Sequence, residues 1–294
     1  MKKRNLFKTL MLVAAAALIM TNYSCAPKGK FIGLQLYSLR DSIVKDVPGT
    51  IEKVSKIGYK FVEPAGYGKG NFYGMSPEDF RKLCDKNNLP ILSSHTGMAL
   101  PDSAGYAGTM AWWDSCIDAH AKLGVKFIVQ PFMGGDAYEN LATLKKYCDY
   151  FNEVGAKCNA KGIRFGYHNH SQEFKPTKQD STGAVIYDFM LENTDPSKVM
   201  FQMDLYWTVE GGANPIDYFN KYPGRFELWH IKDEKEIGAS GKMDFQTIWA
   251  NAEKSGMKYG IVEVEEYSFD TFTSVQKSLE FLNNAEYVVM PLNK

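Results

Sequence analysis

The sequence predicts a closed (β/α)8, or TIM, barrel, and three observations predict it. Short apolar runs alternate with amphipathic helical stretches eight times between residue 31 and residue 294, which implies parallel strands joined by right-handed crossovers. The helical stretches carry recognisable start and stop residues. The side chains suited to metal binding and proton transfer fall late in the apolar runs, where a barrel carries its chemistry.

The runs cover 31–37, 59–63, 89–95, 125–130, 163–170, Val199–Asp204, 226–232 and 259–265. Between the second and third, Ser76-Pro77-Glu78-Asp79 sets a cap, a first-turn proline and two acids in helix-starting order. Asp244 before Phe245 starts a later helix in the same way. Gly58, Gly124, Gly162 and Gly256 each precede a strand, as left-handed C-terminal caps require. No proline-rich linker breaks the pattern, so residues 31–294 read as one catalytic domain. The alternative, an open doubly wound sheet, calls for a glycine-rich phosphate loop after the first strand, and none is there.

Alternation along each strand sorts the residues by face. Gln35 and Tyr37, Phe61 and Glu63, Ser93 and His95, and Gln130 are expected to point inward from the first four strands. Gly166, His168 and His170 share the inward face of the fifth, with Gln202 and Asp204 on the sixth, His230 and Lys232 on the seventh, and Glu263 and Glu265 on the eighth. Three of the five histidines, His168, His170 and His230, fall on the last four strands of this set. Histidines and carboxylates arriving from four strands suit a catalytic divalent metal.

The first residues, Met1-Lys2-Lys3-Arg4, precede an apolar run from Leu10 to Met20 that is too short for a comfortable membrane span. This is a secretory-signal pattern. Ser24-Cys25 resembles a lipoprotein processing site, with Cys25 the lipidated residue, although Asn22 departs from the usual leucine; an ordinary cleaved signal is the alternative. The expected organisation is a signal peptide at 1–24 and a tether at 25–30. The protein is expected to be exported and periplasmic, and held at the membrane only through its lipid. Lys plus Arg and Asp plus Glu balance at 34 each, which argues against a nucleic-acid partner. Cys84, Cys116, Cys148 and Cys158 read as buried apolar residues, without a thiolate metal site.

Five segments carry a family resemblance: Gly33-Leu34-Gln35-Leu36-Tyr37-Ser38, Gly166-Tyr167-His168-Asn169-His170-Ser171-Gln172-Glu173-Phe174, Met203-Asp204-Leu205-Tyr206-Trp207, His230-Ile231-Lys232-Asp233 and Val262-Glu263-Val264-Glu265. Together they resemble the sugar phosphate isomerase/epimerase family of xylose isomerase-like barrels, over nearly all of the chain past the leader. The resemblance implies one divalent metal (manganese, cobalt, zinc, nickel or iron) and a small carbohydrate substrate. It also implies that Asp204, His230 and Glu263 are ligands. The fourth ligand of such families is commonly a glutamate on the fifth strand; here His168 stands there, with His170 and Glu173 as alternatives. His170 matches a catalytic histidine of dehydratase-type relatives, and Glu173 a substrate-contacting carboxylate of epimerase-type relatives.

The expected roles follow. His168, Asp204, His230 and Glu263 hold the metal; His170, Glu173 and Lys232 are catalytic; Gln35, Tyr37, Glu63, His95, Gln130, Trp207 and Glu265 contact substrate. Structural alternatives stand beside several of these. Asp204 could cap the following segment, Glu63 could pair with Lys232, His95 could be a satisfied loop histidine, and Trp207 could be core. His120, late in a helix, is assigned no function. The shared chemistry is proton removal next to a carbonyl, leading to epimerisation, isomerisation or elimination. Export disfavours sugar phosphates, and His168 in place of glutamate tilts the reading towards a 3-keto-glycoside lyase or hydratase. A sugar-binding lipoprotein without catalysis is the remaining class, and a homo-oligomer is left open.

Overall fold

The computed structural model describes residues 29–291. The leader at 1–24 and Cys25 lie outside the described residues. Eight parallel strands form the barrel: β1 Ile32–Gln35, β2 Phe61–Glu63, β3 Ser93–His95, β4 Phe127–Gln130, β5 Arg164–His168, β6 Val199–Asp204, β7 Leu228–Ile231 and β8 Tyr259–Val262. They pair in the order β2-β1-β8-β7-β6-β5-β4-β3. The seam between β2 and β3 is closed by one parallel bridge, Val62 to Ile91, with the Val62 N–H donating to the Pro90 carbonyl at 3.1 Å. Pro90 has no N–H for the ladder, and β3 is regular from Ser93 onwards.

The outer helices begin where their caps dictate. Asp46, Ser76, Asn140, Asp244 and Asp270 each accept a backbone N–H from the first turn of the helix that follows. Gly58 and Gly124 take φ of 111° and 88°, a left-handed geometry that only glycine adopts without strain. No helix among the described residues is long and apolar enough to cross a membrane. Cys84, Cys116, Cys148 and Cys158 are free and buried.

Inside the barrel the strands present two layers. The lower is an apolar plug of Phe61, Leu92, Phe127, Val129, Met200, Leu228, Tyr259 and Ile261. Gly33 and Gly166 make room for it: a Cβ at Gly33 would lie 2.2 Å from the Phe61 ring, and one at Gly166 would lie 2.4 Å from Met200 Cε. Two residues further along the same strands, the interior becomes polar. After β2, a short hairpin (Tyr67–Gly68 with Asn71–Phe72), which the sequence reading did not anticipate, brings Tyr67 to the rim.

Candidate active site

Four side chains converge at the C-terminal end of the barrel. His168 ends β5, Asp204 ends β6, His230 lies in β7 and Glu263 follows β8. Each offers a donor atom, and these atoms all lie within 4.8 Å of one another. Donors about 2.0–2.2 Å from one shared ion lie within roughly 4.4 Å of each other, so the set comes within a few tenths of an ångström of the spacing that a single divalent cation of the mixed N/O-binding type requires. Asp204 gives the sharpest sign of fit. Its Oδ1 accepts the Trp207 N–H at 2.8 Å and caps the helical turn Leu205–Glu210. Its Oδ2 is buried with no hydrogen-bond partner. A buried oxygen left this way is costly unless a cation or proton meets it. Asn169 holds the strand end in place: its Oδ1 accepts the Asp204 N–H at 3.1 Å, and its Nδ2 donates to the Asp204 carbonyl at 3.3 Å.

Beneath the four lies a buried polar hub. Glu63 Oε1 accepts from Gln35 Nε2 at 2.7 Å and from His230 Nε2 at 2.7 Å, and its Oε2 accepts from Gln202 Nε2 at 2.9 Å. Gln202 Oε1 lies 2.5 Å from His95 Nε2 and 3.1 Å from His168 Nδ1. The His95 ring stacks on His230 at 4.8 Å and 12°.

The charges follow from this packing. Burial alone would raise the Glu63 pKa, but His95 and His230 outweigh it and bring it down to about 2. Burial also opposes a charge on His230, yet Glu263 and Glu63 lift its pKa to about 10. Burial raises Asp204 to about 7, against the pull of Lys232. Burial holds His168 well below its ordinary value, so it is neutral and has a lone pair for a metal. Lys232 keeps its proton: burial opposes the charge, but Glu263, Asp204 and Glu265 raise its pKa. Its Nζ lies 2.9 Å from Glu265 and 3.6 Å from Glu263.

Above the four opens a cavity of about 390 Å³, within the range of small-ligand sites. Tyr37, Tyr67 and Phe132 give it aromatic lining; His95, His168, His170 and Glu263 give it polar groups. No arginine or lysine is among its lining residues. The arrangement can hold a cation, bind vicinal oxygens beside it and offer a histidine to a C–H bond.

The model of the xylose isomerase-like TIM barrel family matches residues 51–285. The chain belongs to that family. A sugar phosphate isomerase/epimerase from Parabacteroides distasonis ATCC 8503 superposes with a TM-score of 0.83 at 36% identity, over 90% of this chain and 98% of that one. Inosose dehydratase of Lacticaseibacillus casei is 25% identical over 260 residues, 74% of this chain and 81% of that protein. The 3-keto-D-glucoside 4-epimerase of E. coli shares the fold at 17% identity, with a TM-score of 0.68 over 87% of this chain and 100% of that one. The chain is an enzyme of the isomerase, epimerase or lyase type.

Within this family barrel several expected contacts are placed differently. Gln35 and Glu63 are fully buried below the cavity, not at its surface. Gln35 Oε1 accepts the Tyr37 N–H at 3.0 Å, which ends β1 at Gln35 and turns Tyr37 to the rim. Glu63 pairs with His230 and Gln202 and does not reach Lys232. Gln130 is corrected outright: Phe127 and Val129 take the inward positions of β4, and the Gln130 amide donates to the Met98 and Phe132 carbonyls at 3.1 and 2.8 Å. Glu173 is corrected too. Its Oε1 accepts from Tyr138 and Tyr167 hydroxyls at 2.9 and 2.6 Å, and its Oε2 from the His170 N–H at 3.0 Å. It is fully buried and positions the His170 backbone, with no oxygen left to touch substrate.

His170 itself lines the cavity 5.1 Å from the His168 ring, and its ring nitrogens have no hydrogen-bond partner among the described residues. Trp207 flanks His170 at 6.1 Å and carries the Lys232 ammonium over its ring at 5.5 Å. Glu265 lines the cavity while bound to Lys232. His120 is a packing residue: its ring bonds the Cys116 carbonyl and Ser94 Oγ, and burial brings its pKa down to about 4. Gln202 had no role in the sequence reading beyond facing inward. Only its height beside His168 could have signalled more.

Proposed function

We propose that the protein is a divalent-metal-dependent enzyme acting on an unphosphorylated sugar, keto-sugar or glycoside. It would remove a proton next to a carbonyl, with His168, Asp204, His230 and Glu263 holding the metal. The observation that carries this reading is the buried, unpartnered Asp204 Oδ2 within a four-donor cluster beneath a small-ligand cavity. When bound, the metal would supply Lewis-acid stabilisation of the oxyanion formed on deprotonation. The protein's own groups do the rest. His170 takes the proton; Glu173, through its bond to the His170 backbone, sets where that imidazole stands. His230 and the Lys232 ammonium keep Glu263 ionised, and Lys232, paired with Glu265, brings positive charge near the developing anion. Tyr37 and Tyr67 cover the sugar and restrict water.

Two features favour loss of a β-oxygen, or its reverse hydration, over epimerisation. A two-carboxylate route to proton transfer on both faces is not open through Glu173, whose oxygens are taken by three donors. A cavity lining without arginine or lysine suits a substrate without phosphate. The names of the relatives accommodate both outcomes, and an epimerase or isomerase proper is the alternative. An exported, lipid-anchored location through Cys25 belongs to the same proposal and agrees with an unphosphorylated substrate; Cys25→Ala should abolish lipid labelling.

The test is incubation of metal-loaded protein with 3-keto-glucosides and with free ketoses in deuterated water. Aglycone release with little epimer supports the lyase. A C2 or C3 epimer carrying solvent deuterium replaces it with the epimerase. Purified protein without divalent metal, and inert to added manganese, cobalt or zinc, overturns the reading. Metal binding and sugar binding without turnover would instead favour a non-catalytic sugar-binding protein.

A further inference from the structure

A neutral imidazole donates from one nitrogen and binds metal through the other, so a histidine ligand depends on whatever accepts its N–H. For His168 that acceptor is a side-chain amide, and an amide can present either oxygen or nitrogen. Gln202 lies 3.1 Å from His168 Nδ1. Its orientation is set from the other side: Gln202 Nε2 stands 2.9 Å from Glu63 Oε2, and a carboxylate only accepts. The amide nitrogen must face Glu63, so the amide oxygen must face His168 and, at 2.5 Å, His95 Nε2. His168 Nδ1 is then the donor, and Nε2 carries the lone pair. Glu63 is itself held by Gln35 Nε2 and His230 Nε2, both at 2.7 Å. The same carboxylate therefore turns His230 Nδ1 towards Glu263, 3.2 Å away. Glu63 and Gln202 are fully buried and His168 is 2% exposed, so the chain is shielded from bulk solvent.

We propose that Gln202 is a positioning residue: oriented by Glu63, it holds His168 in the Nδ1–H form so that Nε2 faces the cation site. This rests on the metal reading above for its purpose, but not for its geometry. A structural role alone would require Gln202 only to be satisfied. The proposed role requires it to select one tautomer.

Two measurements on the full-length folded protein separate these. In metal-free protein, imidazole nitrogen and carbon NMR shifts should show His168 in the Nδ1–H form. Gln202→Leu should release it to a mixture, as should Glu63→Gln, which removes the reason for the amide to face one way. Competition against a chromophoric chelator, with Zn²⁺ or Mn²⁺ as the probe, should show Gln202→Leu weakening binding about 10–100-fold. His168→Glu should bind metal through a group that has no tautomer, so adding Gln202→Leu to it should cost little further. Wild-type His168 in the Nε2–H form overturns the proposal. So does a Gln202→Leu loss that is equally large with glutamate at position 168, or Glu63→Gln protein that keeps a pure Nδ1–H His168. Wild-type protein that binds neither probe defeats the metal reading, and the tautomer result then decides the Gln202–Glu63 relay on its own.

Discussion

The lower and upper layers of the barrel interior come from the same strands and the same inward face, about two residues or roughly 6.6 Å apart. Phe61 gives way to Glu63, Gly166 to His168, Met200 to Gln202, Leu228 to His230 and Ile261 to Glu263. The lower layer is stabilised by apolar area and close fit, with Gly33 and Gly166 left bare so that larger neighbours can fill the axis. The upper layer is equally buried, but depends on each donor meeting an acceptor. Most do. Two of the exceptions are informative: one Asp204 oxygen without a partner, and the His170 ring open to the cavity. The lower layer is filled by its own side chains; the upper layer leaves open the two groups that an ion and a substrate would meet.

The largest effects should break the upper layer alone. Asp204→Ala or His230→Ala should leave purified protein without stoichiometric divalent metal by mass spectrometry, while circular dichroism stays native; full metal content in either would remove that residue from the ligand set. Next, His170→Ala should keep the metal and lower turnover about 10²–10⁴-fold, the usual worth of a general base. Unchanged turnover would move the base elsewhere, with His95 the first residue to examine.

The lower layer should respond in stability instead. Phe61→Ala should cost about 3–5 kcal/mol in urea unfolding, as large core truncations do. Gly33→Ala, whose Cβ would meet the Phe61 ring at 2.2 Å, should cost about 1–3 kcal/mol. In both, the metal affinity of the folded fraction should change far less than stability. A matching loss of affinity would mean that the layers are coupled.

Acidity sharpens the contrast, because only the upper layer titrates. In metal-free protein the His230 pKa is raised from 6.5 to about 10, so its contribution is full below pH 6.5 and disappears as pH rises to 10. Asp204, raised from 3.8 to about 7, destabilises the fold progressively between those values as it is forced to ionise. Glu63, lowered from 4.5 to about 2, contributes above pH 4.5 and is lost as pH falls towards 2. On these three groups, melting of the metal-free protein should peak in acid solution near pH 4.5, where Glu63 has gained its full contribution, and fall above it as Asp204 and then His230 lose theirs; added metal should raise the melting temperature most above pH 7. A flat profile would mean that the hub carries no such imbalance. The smallest effect is expected at the rim: Tyr138→Phe removes one of three donors to Glu173 and should cost about 0.5–1.5 kcal/mol with a modest fall in turnover.

Much of this was legible in the chain itself. Strand and helix alternation, capping residues such as Ser76 and Asp244, and terminal glycines specify the barrel through neighbours a few residues apart. Period-two alternation likewise settles that His168, Asp204, His230 and Glu263 face inward, because parity is a local property of an extended chain. What parity could not supply was the partner at the same height on another strand. Glu63 meets His230 across 167 residues and Gln202 across 139. Only closure of the sheet makes them one hub, and turns Gln35 and Glu63 from expected substrate contacts into the support beneath the site. With Phe127 and Val129 on the inward face of β4, Gln130 turns to the loop carbonyls. Folding of the segment after β5 against Tyr138 and Tyr167 takes Glu173 out of the cavity and leaves His170 in it. The sequence determined by itself which faces and strand ends would carry the chemistry, because backbone periodicity acts over single residues. The tertiary structure decided which polar groups neutralise one another and which stay available, because in a buried layer that depends on distances between side chains far apart in sequence.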